Sequence, residues 1–262
     1  MFSRNLDKAR EAYKHKDIES SIKAHQYRPT AEESHSAAGQ YIKSLIYGGL
    51  DGIITTFAVV AGVAGAALSP GVVLILGFAN LIADGLSMSI GDFLSTKAEM
   101  EFQQAERNRE AWEVDHYPEG EKHELIELYV NKGMGEEDAK TVVDIISKNK
   151  ETWVDIMMVE ELGIIQEEES PLKNALVTLA SFVVFGFIPL VTYVISKLVP
   201  SLSVDTFILS CILTSLTLFV LGALKVKVTG KNWFKSGLEM LIVGSLAAGA
   251  AYGIGILLGG IA

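Results

Sequence analysis

The chain has 262 residues, 49% of them hydrophobic, with a formal net charge of -10 and a mean hydropathy of +0.31. A single cysteine, Cys211, excludes an intramolecular disulfide framework, and the acidic balance excludes a nucleic-acid partner, which needs Lys and Arg gathered on one face. Charge is unevenly spread: residues 97–170 hold 21 acids and 8 bases, net -13, while the rest of the chain is net +3. Two solvents are implied, one of them lipid.

The first 40 residues are polar and mixed in charge; no cleavable signal is visible, so insertion is expected to rely on the first span. From Gly52 to Ala83 there are 32 residues without a charge, broken at 68–71 by LSPG, whose proline suits the first position of a new helix. This reads as a helical hairpin. Uncharged runs of 23, 19 and 23 residues follow at 174–196, 206–224 and 240–262. Each is long enough to cross roughly 30 Å of hydrocarbon at about 1.5 Å per residue. The runs predict spans over 43–67, 70–95, 172–197, 203–225 and 234–259. A soluble protein this short has too little polar surface to enclose them all. The glycines of the last span, Gly244, Gly249, Gly253 and Gly255, read as points of close helix packing.

The loop after the fourth span carries Lys225, Lys227, Lys231 and Lys235 and no acid, whereas the opposite loops offer only Lys197 and Asp205. The positive-inside rule places the lysine loop in the cytosol, with Trp233 as its interfacial anchor. Five spans then put the N-terminus and residues 97–168 in the cytosol and the C-terminus across the membrane. Glu239, early in the fifth span, either lines the cytosolic entrance or pairs with Lys235 one turn earlier.

Breaks at YPEG (117–120) and NKGMG (131–135) divide the segment between the second and third spans into three helical stretches, 94–115, 119–131 and 136–165. The first is expected to continue the second span. Its Glu106, Glu110 and Glu113 fall at i, i+4 and i+7, on one face; Glu121 and Glu124 repeat the i, i+3 spacing on the next helix. The third stretch sets a thioether at Met157 or Met158 one turn from Glu161, with Glu160 beside it. A solvated acidic face and two core-filling methionines account for these residues taken singly. Taken together, they suggest several divalent ions held by oxygen ligands with sulfur at the edge, which points away from Mg²⁺ and Ca²⁺ and toward a first-row metal such as Fe²⁺.

Three acids lie within the first two spans: Asp51, Asp84 and Asp92. A charge at membrane depth costs roughly 2.5 to 3.5 kcal/mol on insertion scales and marks a functional site. Asn80, Asp84, Met88 and Asp92 form a polar stripe at four-residue spacing; Asp92, nearest the cytosol, is equally consistent with a solvated end. Asp51 sits among Gly48, Gly49 and Gly52, which permit close helix approach. Facing spans would let Asp51 and Met88 form a site where metal and proton compete. The expected fold is therefore an all-α polytopic membrane protein with five transmembrane helices and a cytosolic three-helix metal-binding domain. Its divisions are a tail (1–40), spans one and two (41–96), the metal-binding insert (97–168) and spans three to five (169–262).

The runs GLDGIITT (49–56) and GLSMSIGDFLS (85–95), with the acidic Met-Met insert, resemble the vacuolar iron transporter family over residues 41–262. The resemblance implies a homodimer that moves Fe²⁺ from the cytosol into a vacuole-like store in exchange for protons, along a path lined by Asp51 and Met88. It also implies metal ligands at Glu110, Glu113, Glu121, Glu124, Met157, Met158 and Glu161. Asn80 and Asp84 on the path, and Glu106 and Glu160 near the metal, come from helical geometry alone. The transported ion, Fe²⁺ or Mn²⁺, is the only cofactor expected, since carboxylate and thioether accept both. The chain is not expected to be an enzyme: a di-iron site needs two Glu-x-x-His pairs on facing helices, and within the spans and the insert Glu113 with His116 is the only one. No phosphate-binding loop supplies a motor. The remaining rival is a membrane-anchored iron sensor or buffer, which gives no reason for acids inside the membrane.

Overall fold

Proline and short polar side chains set where the helices begin. The computed structural model describes residues 6–26, 41–165, 170–199, 205–225 and 232–260. Lys227 and Lys231 of the lysine loop, and residues 1–5 and 27–40 of the tail, lie outside the described residues. In chain order the helices are α1 (Leu6–His15), α2 (Ile18–Gln26), α3 (Ile42–Gly65), α4 (Pro70–His116), α5 (Pro118–Asn131), α6 (Glu136–Ile146), α7 (Lys150–Glu160), α8 (Pro171–Leu198), α9 (Thr206–Leu224) and α10 (Trp233–Gly259). No strand occurs among the described residues. α4, α5 and α8 each open on a proline, whose missing N–H costs nothing at that position. Asp205 caps α9, accepting from the Phe207 and Ile208 amides at 3.0 and 3.1 Å, and Asn232 caps α10 in the same way at Phe234 and Lys235.

Five helices, α3, α4, α8, α9 and α10, are long and apolar enough to cross a membrane. Helices satisfy every backbone group internally, which a bilayer demands. Their outward residues are apolar, as Ile75, Ile82, Leu86 and Ile90 on α4 and Leu246 and Leu257 on α10 illustrate. Lipid is the solvent that makes such a surface stable. The chain divides into two units, one of residues 1–81 with 181–262 and one of residues 82–180.

In the first unit α10 packs against both α3 and α9, around cores that include Ile53, Leu218, Leu221 and Met240, and Phe57, Val60, Leu190 and Tyr193. Glycine allows the close contacts. A Cβ on Gly52 would collide with the Phe182 backbone, and one on Gly49 would come within 2.7 Å of the Phe185 ring. In α10 the expectation of close packing holds at Gly244, which meets Leu218, and at Gly255, which meets the Gly62 carbonyl; Gly249 and Gly253 instead face open space. Glu239 pairs with Lys225 at 4.0 Å, not with Lys235.

The second unit contains the acidic insert. α4 runs unbroken from its apolar part into the charged region beyond Thr96, as expected. The stretch 136–165 differs from expectation: it forms two helices, α6 and α7. Asn149 adopts an extended conformation between them and accepts a hydrogen bond from the Thr152 amide at 3.0 Å, so an N-cap starts a new helix. The bend lets Val143 of α6 and Trp153 and Val154 of α7 enter one core with Val114, Leu125, Met157 and Met158.

Candidate metal centre

Three carboxylates stand one helical turn from three residues of that core. Glu110 precedes Val114 by four positions on α4, Glu121 precedes Leu125 by four on α5, and Glu161 follows Met157 by four at the end of α7. Residues four apart share a helix face, so the packing that buries the apolar trio draws the carboxylates together. One oxygen from each of Glu110, Glu121 and Glu161 lies within 4.8 Å of the others. That spread is roughly twice a metal–oxygen bond of about 2.0 to 2.6 Å, the reach of one coordination sphere.

Glu110 is only 1% exposed and Glu121 5%, while Glu161 reaches the surface. Neither oxygen of Glu110 accepts a hydrogen bond, nor does Oε2 of Glu121. Such groups are rare because burying a carboxylate oxygen without a hydrogen bond is strongly destabilising. Burial, reinforced by Glu161, Glu113 and Glu124 and opposed by Arg109, pushes the Glu110 carboxyl up to about 7. Burial, with Glu124 and Glu110, does the same to Glu121, also to about 7. Glu161 is raised by burial and by Glu124. A divalent cation would relieve the burial cost and the repulsion together.

Arg109 is the one cation inside this group among the described residues. Its guanidinium lies 2.7 Å from Oε1 of Glu110, an ion pair out of line for a hydrogen bond. It also donates to Glu113 at 2.7 Å and to Glu106 at 3.0 and 3.1 Å. Glu124 and Glu161 line an adjoining cleft with Glu127, Leu128, Asn131 and Lys132. Glu160 is engaged by Lys132. Met157 and Met158 lie in the apolar core, 0% and 1% exposed. His116 stacks on Trp112 and pairs with its carbonyl, and His123 faces Glu127.

Within the membrane helices, Asp51 is partly buried on α3, where the Thr55 hydroxyl donates to its carbonyl at 2.8 Å. Asn80, Asp84, Met88 and Asp92 follow one another along α4, all partly buried. Asp92 accepts a hydrogen bond from the Thr178 hydroxyl of α8 at 2.6 Å, so it is held by a neighbouring helix and is not simply solvated.

The sequence profile of the VIT family matches residues 42–256. The chain belongs to the VIT family. Relatives in that family include a vacuolar iron transporter of Toxoplasma gondii, 42% identical over 97% of this chain and 89% of its own length. One from Plasmodium falciparum is 36% identical over 98% of both chains, and vacuolar iron transporter 1 of Arabidopsis thaliana is 34% identical over 84% of this chain and 87% of its own.

Two features of this VIT-family chain escaped the sequence reading. Arg109 lies between Glu106 and Glu113 at i−3 and i+4, a spacing that marks ion pairs on one helix; attention to the glutamates alone passes over it. Glu127 and Asn131 extend the Glu124 face of α5 into the cleft, and their helical spacing was the available signal.

Proposed function

We propose that the protein is a proton-coupled transporter that carries Fe²⁺, or Mn²⁺, out of the cytosol into a vacuole-like store. Support comes from its family, from the names of its relatives, and from its five apolar helices. The observation that carries the reading is a pair of buried carboxylates, Glu110 with neither oxygen hydrogen-bonded and Glu121 with its Oε2 unsatisfied, gathered with Glu161 within the reach of one coordination sphere.

In this reading residues 97–168 form a cytosolic metal-capturing domain and the tail at 1–40 is also cytosolic. Glu110, Glu113, Glu121, Glu124 and Glu161 bind metal, with Glu106 at the margin. Met157 and Met158 wall the site from the core side, where thioethers favour a transition metal over Mg²⁺. Glu160, engaged by Lys132, contributes charge alone. The excess of acid raises the local concentration of cations. Metal then passes to Asp51 and Met88, with Asn80 and Asp84 along the way. Protons arriving from an acidic compartment neutralise the carboxylates and release it. A homodimer supplies the path at its interface.

The test is Fe²⁺ uptake into proteoliposomes under an imposed pH gradient. Wild-type flux should need the gradient and vanish in a folded Asp51→Ala variant, while Glu110→Ala/Glu113→Ala should lower flux at limiting Fe²⁺. Folded protein that binds Fe²⁺ but shows no flux would mean a membrane-anchored sensor or buffer.

A further inference from the structure

The best-engaged side chain in the acidic cluster is a cation of the chain itself. Arg109 contacts Glu106, Glu110 and Glu113, every oxygen at 2.7 to 3.1 Å. The two ends of these contacts differ in freedom. The Arg109 side chain is 43% exposed and can swing into water, whereas Glu110 at 1% is fixed in the protein. Guanidinium keeps its proton at any physiological pH, so the contact is not released by deprotonation and gives way to a competing cation. An adjacent residue on a helix does not ordinarily face its neighbour, yet Arg109 folds back onto Glu110.

We propose that Arg109 is a built-in competitor for the captured metal: it holds Glu106, Glu110 and Glu113 until a divalent cation displaces it, and its return favours release. This rests on the proposed capture of Fe²⁺ by the insert. Arg109 is thus a positioning residue that lowers affinity, making the domain a relay and not a sink. A purely structural ion pair has the opposite signature, since its loss would loosen the site and weaken metal binding.

The experiment is anaerobic calorimetric titration of the full-length, detergent-purified protein with Fe²⁺, alongside thermal melts of chelator-treated samples. Arg109→Gln is expected to bind Fe²⁺ about tenfold more tightly, equivalent to about 1.4 kcal/mol, and to melt lower than wild type only when metal has been removed. Arg109→Lys keeps the charge but not the three-way fork, and should give a smaller gain of about two- to threefold. Binding by Arg109→Gln that is no tighter than wild type overturns the inference. Should that variant fail to fold, Arg109→Lys decides it by the same criterion: tighter supports, equal or weaker overturns. Wild-type protein that takes up no Fe²⁺ overturns the proposed function as well.

Discussion

The membrane helices and the acidic insert bury polar groups to different ends. Among the membrane helices, hydroxyls find partners on neighbouring helices: Ser89 donates to the Ala175 carbonyl, Ser181 to that of Leu45 and Ser210 to that of Pro189. The buried hydroxyls there that lack one, Thr56, Thr192 and Thr214, are neutral. In the insert, by contrast, the buried groups left without hydrogen bonds include ionisable ones, both oxygens of Glu110 and Oε2 of Glu121. The first pattern locks helices together; the second stores an electrostatic cost that a cation can relieve.

That contrast breaks most severely if the carboxylates are neutralised. Glu110→Gln/Glu121→Gln is expected to weaken Fe²⁺ binding more than about a hundredfold, since loss of outer-shell partners alone costs about 10- to 100-fold. The same variant should melt higher than wild type after chelation, because two buried charges are gone. Titration calorimetry and thermal melts measure the two opposite effects.

The membrane side is sharpened by Gly52→Ala. Its added Cβ meets the Phe182 backbone, which cannot rotate away, so a loss of about 1 to 3 kcal/mol is expected, visible as a lower melting temperature in detergent with Fe²⁺ affinity unchanged.

Acidity separates stability from affinity. Glu110 and Glu121 titrate near 7 in the folded protein against an ordinary value of 4.5. The fold therefore favours their protonated forms, and this contribution is complete below pH 4.5 and lost as pH rises through 7. Chelated protein should melt lower at pH 8 than at pH 5, while Fe²⁺ affinity should rise over the same window as protons leave the ligands. The smallest effect is expected at Glu160→Gln, which breaks a pair with Lys132 at the surface and should alter stability by less than about 1 kcal/mol and Fe²⁺ affinity by less than about twofold.

Much of this was legible in the sequence. Uncharged run lengths predicted α3, α8, α9 and α10 to within a few residues and the start of α4 at Pro70, because hydrocarbon thickness fixes a minimum length that composition reveals directly. The i, i+4 and i+7 spacing of Glu106, Glu110 and Glu113 put them on one face. Which glutamates are buried was not legible, since that depends on Val114, Leu125 and Met157 meeting across three helices. The break at Asn149 was hidden because Ser, Lys and Asn carry no glycine or proline signal and the capping bond competes only weakly with helix continuation. Gly249 and Gly253 show the limit of composition: the same residue type marks a close approach at Gly255 and open space two and six positions before it.

Anomalous diffraction at the iron edge, on crystals grown anaerobically with Fe²⁺, tests the central claim most directly. The expected result is a peak within bonding distance of Glu110, Glu121 and Glu161, with the Arg109 guanidinium turned away from Glu110. A map in which those three carboxylates hold no metal while iron is bound elsewhere on the insert would contradict it.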